Sequence, residues 1–139
     1  MFYNILLAVD GSEHSLRAAE IAGGIARQFG SDLWIVVCYD PVPSYLGEPN
    51  LQRALDERLE HTAEIMAPAL TVLGDIPGNV HKETLEGSPA EAIIKVTEAR
   101  SIDLVVMGTR GRSPLAGLLL GSQSHKVVMY APCPVLLVR

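Results

Sequence analysis

Leu33-Trp34-Ile35-Val36-Val37-Cys38-Tyr39 is a run of seven residues with no charge and no alternation between polar and apolar positions. A strand with one face in water alternates. One that does not is covered on both faces, which is the mark of a parallel sheet held between two layers of helix. Upstream, Ala18, Ile21, Ala22, Ile25 and Phe29 recur at helical spacing, and Gly30 sits where a helix-ending glycine belongs. Before them, residues Asn4 to Val9 read as a strand that halts at the turn signal Asp10-Gly11-Ser12.

Downstream, Asp40 to Asn50 holds three prolines and a glycine and reads as a loop. Leu51, Leu55, Leu59, Ala63, Met66 and Leu70 then form a helical stripe expected to be core, together with Trp34. Pro68 within it is expected to kink or end the helix. A weaker strand follows at 79–85. Ser88-Pro89-Ala90-Glu91 has the composition of a helix start, with serine as cap, proline in the first turn and glutamate closing a capping box. That helix is expected to run to about Ser101. Residues 103–108 form a fourth strand, 122–130 a short helix and 135–138 a fifth strand. The order β-α-β-α-β-α-β-α-β predicts one three-layer, doubly wound α/β domain over residues 1–139, Rossmann-like, with a five-stranded parallel sheet.

Composition narrows the function. A net charge of −5 argues against a nucleic-acid surface, which needs a basic patch. The longest apolar runs are a handful of residues, far short of a membrane span. The N-terminus lacks the basic start and cleavage site of a secretory signal, so a cytoplasmic location is expected. Two cysteines without CxxC spacing give neither a disulfide framework nor a zinc site. His14, His61, His81 and His125 have no metal-ligand spacing and are expected at the surface.

Ligands of open α/β sheets bind beyond the carboxyl ends of the strands, where strand order reverses. Two such segments stand out: Asp10-Gly11-Ser12, and Gly108 through Ser122, which reads G-x2-G-x9-G-S. Backbone N–H groups exposed by glycines, followed by a helix N-terminus, suit phosphate oxygens. Ser122 adds a hydroxyl, for a phosphate or for a metal bound to one. The same glycines also serve as ordinary turn residues, and Ser122 as a helix cap. Arg110 and Arg112 bring positive charge beside this loop, either for a polyphosphate or as solvated surface residues.

Val9-Asp10-Gly11-Ser12, the stretch Gly108 to Ser122 and the closing Ala131-Pro132-Cys133-Pro134-Val135-Leu136-Leu137-Val138 resemble the universal stress protein (UspA-like) family over nearly the whole chain. The glycine spacing is that of its ATP-binding branch, on the adenine nucleotide alpha hydrolase-like fold. The resemblance implies that Asp10 meets the ribose hydroxyls and that Val37 and Cys38 offer main-chain groups to adenine. Ala8 and Val9 would pack near the base, and Met107 and Gly108 would line the ribose and α-phosphate. Gly111, Gly121 and Ser122 would surround the remaining phosphates, beside Arg110, Arg112 and Gln123. Two departures stand in this loop: Thr109-Arg110 replaces a common serine-histidine pair, and Gln123 a common valine.

The expected function is that of an ATP-dependent switch, with Mg²⁺ or Mn²⁺, acting on a protein partner. No G-x4-G-K-[ST] loop and no catalytic triad is present, so hydrolysis is expected to be slow or absent. A true ATPase or nucleotide hydrolase, and a nucleotide-free dimer module, are the alternatives. The last strand, apolar on both faces, is expected at a sheet edge, pairing two copies into a homodimer.

Overall fold

The computed structural model describes residues 1–109 and 120–139. Its elements are β1 (Asn4–Ala8), α1 (Glu13–Phe29), β2 (Asp32–Tyr39), α2 (Asn50–Leu73), β3 (Val80–Glu86), α3 (Pro89–Ala99), β4 (Leu104–Gly108), α4 (Ser122–Tyr130) and β5 (Val135–Val138), with a short 3₁₀ turn at Ser44–Leu46. The five strands are all parallel and lie in the order β3-β2-β1-β4-β5. The predicted three-layer architecture is the one observed. Crossovers through α1 and α2 step the sheet one way from β1, and those through α3 and α4 build the other half. Strand order therefore reverses between β1 and β4, which is where a ligand crevice belongs.

Alternation along the strands sorts side chains into two cores. Ile5, Leu7, Leu33, Ile35 and Val106 pack with α1 and α2, while Leu6, Val36, Val105 and Met107 pack with α3 and α4. In α1 the buried stripe is mostly alanine: Ala18, Ala19, Ala22 and Ala26 are wholly buried, and Gly23 lies with them. Ile21 and Phe29 of the expected stripe are exposed instead. Phe29 meets Phe2 edge-on at a centroid separation of 5.6 Å. The helix starts at Ser12, whose hydroxyl accepts the Ser15 N–H, and ends as predicted at left-handed Gly30.

Four other expectations need correction. The buried face of α2 is Thr62, Met66, Ala69 and Leu73, whereas Leu59 and Ala63 are exposed, because the charged residues of the first turns tolerate several rotations of the face. Pro68 does not end α2, which runs five residues past it; the proline lies on the exposed side. Trp34 is only half-buried and stacks on the exposed His81 at 4.4 Å. Finally, Ser88 occupies the cap position of α3, but its hydroxyl makes no cap bond.

Small residues let α1 approach the sheet. A Cβ built on Gly108 would lie 2.7 Å from the His14 Cβ and 3.2 Å from its carbonyl carbon. Gly24, on the outer face of the same helix, has nothing within 4 Å of such an atom. Gly108→Ala is therefore expected to destabilise by about 1–3 kcal/mol through overpacking. Gly24→Ala is expected to stabilise by about 0.5–1 kcal/mol through helix propensity. Urea denaturation of both variants measures the contrast, and a Gly108→Ala protein as stable as the parent would rule out the tight α1–β4 approach.

Candidate functional site

β1 and β2 do not end together. The last link of their ladder is the Val9 N–H to Val36 carbonyl bond at 3.0 Å, yet β2 continues through Tyr39, still paired with β3. Main-chain groups in a parallel ladder alternate in direction. Asp32 donates to Tyr3 on the β1 side at 2.9 Å, and Leu33 to Asn79 on the β3 side at 2.8 Å. By that alternation Val37 faces β3, and the N–H and C=O of Cys38 face the space beyond the end of β1. The register thus separates two residues that the sequence treated as equivalent. Cys38 presents its main chain to the crevice; Val37, 1% exposed, spends its own on the sheet.

The crevice opens there as a cleft of about 440 Å³, lined by Asp10, Cys38, Tyr39, Asp40, Glu57, Arg58, His61 and Ile65. That is within the usual range for small-molecule sites. Asp10 enters from the end of β1. Its Oδ1 accepts the Ser12 N–H at 2.9 Å, a turn allowed by Gly11 at φ 86°. Its Oδ2 has no hydrogen-bond partner among the described residues. Arg58 of α2 donates from Nε to the Asp40 carbonyl at 2.7 Å, holding the outgoing loop at the rim of the cleft. Three carboxylates around this end suit hydroxyl and amine donors better than phosphates.

The other side of the reversal point is built on Thr109, a buried residue held at three atoms. Its N–H donates to the Val138 carbonyl at 2.8 Å, its carbonyl accepts the Gly121 N–H at 2.8 Å, and its Oγ1 lies 2.9 Å from His14 Nδ1. Residues 109 and 121 are thereby joined across the intervening chain. Ser124 Oγ donates to the Gly108 carbonyl at 2.9 Å and fixes the start of α4 on β4. Gly121 is the backbone cap of α4, so Ser122 is its first helical residue, exposed and not a cap. The Gly121 N–H is committed to Thr109. The Gln123 Oε1 accepts the Ala90 N–H of α3 at 2.9 Å. Ala8, Val9, Met107 and Gly108 lie at the ends of the two central strands, as expected. Arg110, Gly111 and Arg112 lie outside the described residues.

Sequence reasoning missed His14, placed at the surface but half-buried against Gly108 and Thr109. Its position in the first turn of α1, four residues after Asp10, was the signal available. Ser124 gave no signal. His61, His81 and His125 are exposed as expected, and His61 also lines the cleft, 3.8 Å from Glu64. Among the described residues no group of three His, Cys, Asp or Glu side chains is arranged to hold a metal ion.

An open doubly wound sheet with a cleft beyond its strand ends defines a three-layer, Rossmann-like α/β protein. The model of the universal stress protein family matches residues 1–139, so the chain belongs to that family. A universal stress protein of Thermus aquaticus, encoded in the QAH/OAS sulfhydrylase 3′ region, is 49% identical over the full length of both chains. The structure of the universal stress protein UspA from Lactobacillus plantarum superimposes with a TM-score of 0.84, at 27% identity and with 99% of this chain and 98% of that one covered. A universal stress protein solved in complex with cAMP superimposes with a TM-score of 0.74 at 26% identity, covering 99% and 97%. Among the described residues no helix is long and apolar enough to cross a membrane.

Burial pushes the Cys38 thiol up to about 11, and burial together with the nearby Asp103 charge raises that of Cys133. Each folded pKa lies above its unfolded value near 9. The folded state therefore holds the extra protons, and the linked stability is intact below pH 9 and lost as pH rises from 9 through 11. Cys38→Ala is expected to flatten part of that alkaline decline in urea midpoints. A decline of unchanged steepness would count against a buried, protonated Cys38.

Proposed function

We propose that the protein binds ATP, with Mg²⁺ or Mn²⁺, and works as a nucleotide-dependent switch in a stress response, with slow or no hydrolysis. The observation that carries this reading is the convergence of the Cys38 main chain and the Asp10 carboxylate on one cleft beyond the ends of β1 and β2. An N–H and a C=O side by side match the edge of an adenine, and a carboxylate oxygen suits a ribose hydroxyl. Across the reversal point, the exposed Ser122 and the N-terminus of α4 offer donors to phosphates. Support also comes from the cAMP complex of the relative described above. The metal would be held chiefly by the phosphates and the Ser122 hydroxyl, since the carboxylates here line the opposite end.

The Asp10 side chain serves both the turn and the cleft, and Asp10→Asn separates the two. Asparagine keeps an oxygen for the Ser12 N–H but loses the second acceptor and the charge. ATP affinity is expected to fall about 10–100-fold, as for loss of one or two charge-assisted hydrogen bonds, with little change in stability. Nucleotide released from freshly denatured protein, identified by chromatography, completes the test. Stoichiometric ATP in the parent and none in Gly121→Val supports the reading, whereas a parent that neither carries nor takes up ATP rules it out.

The cytoplasm is the proposed location and a homodimer the proposed assembly. β5 is an edge strand, and Leu136 on it is exposed, as are Val128, Met129 and Tyr130 of α4. Val135 packs against the core, so a charge there disturbs folding as well as pairing. Leu136→Lys is the cleaner substitution. Sedimentation is expected to find a dimer in the parent and a monomer in the variant, and a variant that stays dimeric excludes β5 as the interface.

A further inference from the structure

The N-terminus of α3 is capped by a side chain from another helix. Ser88 has the extended backbone of a cap residue, φ −70° and ψ 140°, and its carbonyl accepts the Ala92 N–H at 3.1 Å. Its hydroxyl is nevertheless buried and has no hydrogen-bond partner among the described residues. The Ala90 N–H, within reach of such a hydroxyl in an ordinary cap, is taken at 2.9 Å by the Oε1 of Gln123. Gln123 is the second residue of α4 and follows Gly121 and Ser122 directly.

Three tethers hold that first turn of α4. Gly121 N–H to the Thr109 carbonyl and Ser124 Oγ to the Gly108 carbonyl both lead to the end of β4. Gln123 to Ala90 leads to α3 and restrains the turn from the other side. α4 is nine residues long and has no side-chain cap of its own, so its first turn depends on such outside contacts. We infer that Gln123 is a positioning residue, which fixes the N-terminus of α4 for the phosphates of a bound nucleotide by capping α3, with Ser88 as the reserve cap. The inference rests on the nucleotide reading for its ligand, and on the ligand-free hydrogen bonds for its mechanism.

The two roles separate by variant. In Gln123→Met, close in size and without an oxygen, Ser88 takes over the Ala90 N–H, so α3 survives while α4 loses its lateral tether. Urea midpoints for Gln123→Met and for Ser88→Ala are expected near the parent's, and only the double variant is expected to expose the Ala90 amide, with hydrogen exchange at least tenfold faster. ATP affinity of Gln123→Met is expected to fall about tenfold, the scale of a lost cap. Its affinity for adenosine, which has no phosphates, stays within twofold. Ser88→Ala is expected to keep both affinities.

An unchanged ATP affinity in Gln123→Met, or an equal loss toward ATP and adenosine, overturns the positioning role. An Ala90 amide as protected in the double variant as in the parent overturns the shared cap, whatever the nucleotide does. A parent protein that binds ATP in neither test overturns the nucleotide reading and the positioning role together, and the Ala90 exchange then decides the cap by itself.

Discussion

β1 is hydrogen-bonded along both edges and covered on both faces, so it can contain nothing that needs water. Ile5, Leu6 and Leu7 have no exposed surface at all. Its two halves of side chains belong to different cores, one under α1 and α2 and one under α3 and α4. The Asp103 carboxylate sets where the strand begins, accepting the Tyr3 N–H at 2.9 Å and the Asn4 N–H at 3.2 Å. From that fixed start the register on both sides follows, and with it the place where β1 runs out beside the longer β2.

The crevice is a consequence of that ending. A strand that stops early leaves the next strand's outward main-chain groups unpaired, and a buried N–H or C=O without a partner is costly. Cys38 turns its N–H and C=O to the open cleft instead, beside the Asp10 carboxylate. On the other side of the reversal point the described end of β4 is tied down. Thr109 is held at its N–H, its carbonyl and its hydroxyl, and the neighbouring Gly108 carbonyl is also satisfied. An open cleft thus lies beside a strand end whose polar groups are bonded.

The architecture was legible because it follows from periodicity, and strands without alternation permit few sheets. The site was legible only in part. Its location followed from the strand ends, and Asp10 and Cys38 from the resemblance. Which of Val37 and Cys38 turns toward the cleft depends on ladder alternation relative to the end of β1, which no residue identity encodes. Gln123 reads as a member of the phosphate loop by position, whereas its oxygen is spent on α3. The helix stripes failed where several faces were equally plausible: α1 buries its alanines and leaves Ile21 and Phe29 outside. His14 was missed because its two contacts, Gly108 and Thr109, lie far away in sequence.

Asn4 and the Asp103 that anchors it stand 99 positions apart. Translation proceeds at roughly 5–20 residues per second, so β1 leaves the ribosome roughly 5–20 s before β4 can pair with it. In that interval β1, β2 and β3 can assemble with α1 and α2 as their only cover. The face carrying Leu6, Trp34 and Val36 has no helix over it until α3 and α4 follow. The half-made sheet therefore exposes an apolar face and an open strand edge together, the combination that invites association between nascent chains.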